Sequence, residues 1–158
     1  MTVAVNDLGG GDAVELDATD RGILKLLRED GRISVAALAE RVHVSRTHAY
    51  SRLNRLHSLG VITGYRAVVD PSLSGRKESA YVFLKARQSS WRELKAALLE
   101  LEELEHYALV GGEFDVVLLI RAADSADLRR ILFDRIQAMP GVVDARTSII
   151  FEDGEGPL

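Results

Sequence analysis

Between Arg41 and Arg66 the chain carries five arginines, Arg41, Arg46, Arg52, Arg55 and Arg66, together with His48 and His57, and not one Asp or Glu. A guanidinium is permanently charged and donates through a planar fork that suits paired acceptor oxygens. With no carboxylate in this stretch, the acceptors that suit it are phosphate oxygens and base edges. The spacing is helical. On a wheel turning ~100° per residue, Leu53 and Leu56 fall beside Ala49 and mark a buried side. Thr47, His48, Ser51, Asn54 and Arg55 fall on the opposite arc, with Arg46 at the leading tip and Arg52 on the flank. A solvated helix face normally mixes signs and gains i,i+4 pairs; this one does not. The pattern matches a helix inserted by its N-terminal end into the major groove. With the capping Ser45, the candidate DNA contacts are Ser45, Arg46, Thr47, His48, Ser51, Arg52, Asn54 and Arg55.

Such a helix needs a frame, and the flanking sequence supplies one. Asp17 caps a first helix, with Asp20 three places on favouring its positive end, and Ile23, Leu24 and Leu27 form its buried stripe before Gly31 stops it. Ser34 caps a second helix whose inner face is Val35, Leu38, Ala39 and Val42. Val44 fills the turn, Ser45 caps the third helix to about Ser58, and Gly60 is its stop signal. The β-forming stretch VITGYRAVVD reads as a strand or hairpin beyond the third helix, closed by Asp70-Pro71, and PSLSGRKE as a polar loop. Residues 16–64 are therefore expected to form a trihelical, winged helix-turn-helix domain. A tail over 1–15, expected to be flexible, precedes it, and a linker strand and loop over 65–76 follow.

The remainder has a different rhythm. AYVFLKA is a strand; Trp91, Leu94, Leu98, Leu101 and Leu104 mark one face of a helix. HYALV and VVLLI pair as a hairpin around GGEFD. Leu128, Ile131, Leu132, Ile136 and Met139 mark a second helix, and the last strand lies in VDARTSIIF. The order β-α-β-β-α-β over 77–153 is the ferredoxin-like arrangement, with a short tail over 154–158. The chain is thus α+β. Helices on one sheet face leave the other uncovered, which invites a sheet-to-sheet dimer. Val82 and Leu84 are candidates to share that open face with Val117 and Leu119.

Composition agrees with two small domains and two tasks. The chain has 158 residues, 47% of them hydrophobic and 28% charged, which is globular rather than disordered. Its net charge of −4 hides an asymmetry: residues 16–66 carry +4, residues 67–158 carry −5 and residues 1–15 carry −3. No apolar run approaches the ~18 residues of a membrane span. The N-terminus lacks the basic and apolar regions of a signal peptide, so a cytoplasmic location is expected. Absence of cysteine removes thiolate chemistry. No catalytic set is expected: His106 has no placed partner, and Ser89, Ser90, Ser125 and Ser148 lie outside any G-x-S-x-G context. No metal site or cofactor is expected from histidines without ligand spacing. GGEF at 111–114 is one residue short of a nucleotide-cyclase signature on too short a chain, and is rejected.

LDATDRGILKLL, DGRIS, VAALAERVHVS and GVITGY, in order, resemble the Lrp/AsnC (leucine-responsive and asparagine regulator) family of transcription factors. GEFDVVLL and MPGVVDARTSIIF extend the resemblance from Leu16 to Glu152. His43 stands where these proteins usually have glycine, which implies a positive φ at a non-glycine residue, and Leu53 stands where a β-branched residue is common. The resemblance implies a sequence-specific regulator of double-stranded DNA. It also implies a homodimer built through the second-half sheet, assembling to tetramer or octamer. A free amino acid or similar small effector is expected at contacts between subunits, near Leu109, Gly111, Gly112, Asp115, Ser148, Ile149 and Ile150. There the glycines would let backbone approach a carboxylate and Asp115 would accept from an ammonium group. The plainer alternative keeps GGEFD as a hairpin turn. Two other readings stay open on residues alone: a nonspecific architectural DNA-binding protein without an effector, and an enzyme or ligand-binding domain whose helices make only protein contacts.

Overall fold

The computed structural model describes residues 14–154. Most of the two expected tails, 1–15 and 154–158, therefore lies outside the described residues. The chain forms two compact units that divide between Ala67 and Val68.

The first unit holds three helices, α1 (Ala18–Glu29), α2 (Val35–Arg41) and α3 (Arg46–Ser58). Each begins where a side chain satisfies orphan N–H groups. At α1 the Asp17 carboxylate accepts from the Asp20 N–H at 2.9 Å, while the Asp20 carboxylate accepts from the Asp17 N–H at 3.3 Å, a reciprocal capping box. Ser34 Oγ accepts from Ala37 N–H, and Ser45 Oγ from His48 N–H, each at 3.2 Å. Ile23, Leu38, Ala39, Ala49 and Leu56 form the buried centre, with Leu24, Leu27, Val35, Val42, Val44 and Leu53 packed around it. Ile23, Leu38 and Leu56, the largest fully buried side chains of this unit, each contribute about 1.5–3 kcal/mol by burial. Between α2 and α3 the backbone at His43 takes φ 56°, the left-handed conformation that a glycine would adopt freely.

The strand or hairpin expected over VITGYRAVVD does not form. Residues 63–70 carry no regular structure, and Tyr65, Val68 and Val69 are exposed. Among the described residues no strand pairs with them: the first unit holds only helices, and the strands of the second pair with one another, while an isolated ribbon is not stable alone.

The second unit contains β1 (Glu78–Ala86), α4 (Trp91–Leu99), β2 (Leu104–Leu109), β3 (Val116–Ala122), α5 (Ser125–Arg130) and β4 (Val142–Ile149). The sheet order is β2-β3-β1-β4 with every neighbouring pair antiparallel, the ferredoxin-like topology. Ala80, Val82 and Leu84 of β1 and Val116, Leu118 and Ile120 of β3 bury one face against Leu94, Leu98, Leu101, Leu128, Ile131 and Ile136.

Two details depart from expectation. α4 ends at Leu99, and Leu104 opens β2 rather than continuing the helix face. The chain turns between them, with Leu101 still reaching the core. After α5, residues Ile131–Ile136 form a π-helical turn, seen in the Gln137 N–H to Leu132 C=O bond at 3.1 Å. Five residues apart on an α-helix, Ile131 and Ile136 would point ~140° from each other. The wider turn brings both into the core, where each is fully buried.

Register corrects the expected open face. Val82 pairs with Leu118 and Leu84 with Val116, all beneath the helices, whereas Val117 and Leu119 stand opposite Phe83 and Tyr81. The uncovered face is therefore Tyr81, Phe83, Val117 and Leu119, flanked by His106 and Ala108 of β2 and Arg146 and Ser148 of β4. Phe114 packs on Phe83 with ring centres 5.6 Å apart, and Arg146 lies over Phe114 while bonding Glu113 at 3.0 Å. At one end Arg121 of β3, 7% exposed, donates to Glu105 of β2, the Ser79 hydroxyl of β1 and Asp153 in the segment beyond β4.

Candidate nucleic-acid interface

α3 presents the polar arc that its sequence predicts. Ala49 and Leu56 are buried, Leu53 is half-buried, and Ser45, Arg46, Thr47, His48, Ser51, Asn54 and Arg55 are all exposed. The N-cap at Ser45 sets the helix start, so Arg46 and Thr47 occupy its first turn. There, free N–H groups and the positive helix end add to the attraction for a phosphate. Sequence reasoning passed over Tyr50, which is 57% exposed on this surface. Its wheel position beside Asn54 was the available signal.

The electrostatics differ from the sequence picture in one respect. Residues 41–66 hold no acid, yet Arg52 and Arg55 are not free, because α1 brings Asp17 and Asp20 to them from more than thirty residues away. Asp20 is 1% exposed and receives Arg52 Nη1 at 3.2 Å on one oxygen and Arg55 Nη1 at 2.9 Å on the other. Arg52 Nη1 also bonds Asp17, and its Nε donates to His48 Nε2 at 3.0 Å. Arg55 Nη2 reaches the Glu15 carbonyl at 3.2 Å. The Asp20 backbone N–H, and then the Arg52 guanidinium, hold the Asp17 carboxyl below its usual value, and the two carboxylates raise Arg52. Among the described residues Arg41, Arg46 and Arg66 make no ion pair. The arginines thus separate into a free set and a pair held by carboxylates.

The expected effector residues lie in two places. Leu109, Gly111, Gly112 and Asp115 gather at the β2–β3 hairpin end. There an open hollow of about 320 Å³ is lined by Arg87, Trp91, Leu109, Val110 and Asp115. Gly112 takes φ 142°, and nothing lies within 4 Å of where a side chain would start on Gly111 or Gly112. One Asp115 carboxylate oxygen accepts from the Ala86 N–H at 2.8 Å, so this residue also clips β3 to the end of β1. Ser148 instead pairs with Tyr81, Ile149 with Ala80, and Ile150 N–H bonds the Ser79 carbonyl. At ~3.3 Å per residue the two groups stand ~10–20 Å apart along the sheet. One chain does not bring them together. Among the described residues no cluster of His, Asp and Glu has the arrangement of a metal site, and no helix is long and apolar enough to cross a membrane.

Comparison with known proteins places both units. Residues 16–57 match the AsnC-type helix-turn-helix domain and residues 79–153 the Lrp/AsnC ligand binding domain. The chain is 37% identical over 141 residues to a leucine-responsive regulatory protein of Haemophilus influenzae, covering 87% of this chain and 85% of that one. It is 35% identical over 141 residues to a proline dehydrogenase transcriptional activator of Rhizobium radiobacter, covering 87% and 90%. Among solved structures, a Neisseria meningitidis transcriptional regulator in complex with L-Met superposes with TM-score 0.85 at 26% identity, covering 90% of this chain and 94% of that one. The leucine response regulatory protein of Mycobacterium tuberculosis gives TM-score 0.75 at 34% identity, covering 89% and 96%.

Proposed function

The chain belongs to the Lrp/AsnC family of transcriptional regulators, and we propose that it binds a specific double-stranded DNA operator through α3 and answers to a free amino acid. The observation that carries the DNA reading is the exposed face of α3: eight hydrogen-bonding side chains from Ser45 to Arg55, Tyr50 included, with Arg46, which has no ion-pair partner among the described residues, at its tip. In this reading Ser45, Arg46, Thr47, His48, Ser51, Arg52, Asn54 and Arg55 meet DNA. Those nearest the helix start face base edges and the flanking arginines face phosphate.

One such helix covers too few base pairs for tight selective binding, and a two-fold dimer offers two helices ~34 Å apart to successive grooves. The uncovered sheet face supports a dimer. Tyr81, Phe83, Val117 and Leu119 are adjacent and, among the described residues, covered by no helix or strand, with the Phe114 ring set against Phe83 at one end. Tetramers or octamers would be built from such dimers. A DNA-bound regulator of this kind works in the cytoplasm.

The separation of the hairpin group from Ser148, Ile149 and Ile150 supports an effector site completed between chains. One chain would offer the hairpin glycines and Asp115, another the β4 end. The ligand-binding family match and the L-Met complex of the Neisseria regulator favour an amino acid.

Selection of duplexes from a random pool, with and without a mixture of amino acids, tests both parts. A defined, two-fold-related sequence should emerge and bind at least ~10³-fold more tightly than random duplex. Replacing Arg46, Ser51 and Asn54 together by alanine should abolish that preference while thermal unfolding stays unchanged. Retention of full binding by this triple variant rules out α3 as the DNA surface. For the effector, individual amino acids are titrated against wild type and Asp115→Asn. A response of the wild type, weakened in the variant, is the expected result. No response to any of the twenty would end the sensing proposal.

A further inference from the structure

We propose that Asp17 and Asp20 are specificity-determining residues, which cancel the charge of Arg52 and Arg55 and fix their guanidinium planes, so that these arginines orient on an operator but add little to nonspecific attraction. The inference rests on the DNA-binding role of α3.

Four observations carry it. Asp20 is 1% exposed, so its charge is out of water, and among the described residues it is satisfied by the two arginines and its capping bond. Withdrawing them to meet a loosely placed phosphate would strand a buried carboxylate, which is costly. Each guanidinium nevertheless keeps an uncommitted donor. Among the described residues Arg52 Nη2 and Arg55 Nε have no partner. These donors project from planes set by carboxylate pairing rather than from freely rotating side chains. Finally, Asp17 is half exposed and among the described residues pairs with Arg52 alone, so its hold can be loosened without emptying the pair.

Nonspecific DNA binding is almost wholly phosphate neutralisation, and affinity falls with salt in proportion to the number of phosphates neutralised. An arginine already neutralised in cis adds little to that count. A fixed donor still gains when a base edge or phosphate stands where it points, as on a fitted operator. Carboxylates beside recognition arginines therefore act against wrong sequences more than against the right one.

The test uses the full-length protein, the duplex selected above and a scrambled duplex of equal length, across a salt series. Asp17→Asn keeps an N-cap acceptor and removes one charge. It should tighten scrambled-duplex binding by about three- to tenfold at low salt and steepen the slope of log K against log salt by about one. Operator affinity should rise less, so the specificity ratio falls. The double variant Asp17→Asn/Arg52→Gln, which removes one charge of each sign and leaves Asp20 paired to Arg55, should weaken operator binding while the scrambled-duplex slope stays as in wild type. Wild-type slopes and ratio in Asp17→Asn, or a slope reduced by about one on scrambled duplex in the double variant, would overturn the proposal. A parallel fall in both affinities of Asp17→Asn would also overturn it, showing a purely structural role. If wild type itself fails to prefer the selected duplex, the DNA reading fails first and this inference with it.

Discussion

Asp17 is where fold and function meet in one side chain. It caps α1, completes a reciprocal box with Asp20, and pairs with Arg52 of α3, the helix proposed to face DNA. Its folded carboxyl sits below the ordinary 3.8, chiefly through the Asp20 N–H and then through Arg52. The unfolded chain therefore binds this proton at a higher pH than the folded one. The stabilisation is complete above about pH 5 and is lost as pH falls past 3.8 toward the depressed value. Urea midpoints measured from pH 6 to pH 2.5 should drop over that acid range, less steeply in Asp17→Asn than in wild type. His43 offers a test of backbone strain. A left-handed non-glycine residue costs about 1–2 kcal/mol, while glycine returns about 0.5–1 kcal/mol of that through unfolded-state entropy. His43→Gly should thus raise stability by about 0.5–1 kcal/mol in chemical denaturation, with DNA affinity unchanged. A destabilised variant would mean the His43 side chain contributes more than its backbone costs.

At the scale of elements, the second unit depends on tight junctions as much as on its core. Gly141, with φ 79°, joins the π-helical turn to β4, and a side chain there would clash with Ser90 Cβ. Arg87 N–H bonds the Gly141 carbonyl at 2.9 Å, so the junction also anchors the end of β1. Gly141→Ala combines a left-handed conformation with a clash against an adjacent element. Its cost should reach about 2–4 kcal/mol. A thermal midpoint within a degree or two of wild type would show that the junction can open without loss. Arg121 has the opposite character. It is a buried cation whose partners, Glu105 and Asp153, remain partly in water, so it positions strand ends without needing to add much stability.

For the whole molecule, assembly governs both proposed activities. The apolar centre of the open sheet face is Phe83, Val117 and Leu119, with the Glu113–Arg146 pair beside it. Placing a charge at its middle, as in Leu119→Asp, should shift sedimentation toward monomer and weaken operator binding by about a hundredfold or more, since two half-sites no longer bind as one. The variant should keep its secondary structure, because position 119 points away from the helices. Unchanged mass in dilute solution would place the interface elsewhere.

The sequence by itself determined the elements. Caps at Asp17, Ser34 and Ser45, a glycine at position 60, and the change from helical to alternating periodicity are local signals, and local physics decides them. The β-α-β-β-α-β order followed, as did the outward face of α3, because a helix fixes which residues share a side. The tertiary structure alone decided what depends on neighbours distant in sequence. Strand register turned Val82 and Leu84 inward and left Tyr81 and Phe83 beside Leu119 and Val117. Without a strand that pairs with them, residues 63–70 stayed irregular despite their β-forming composition. Above all, the packing of α1 against α3 gave Arg52 and Arg55 acidic partners that no reading of residues 41–66 contains. Charge acts through space, and a sequence window counts only the charges that lie near each other along the chain.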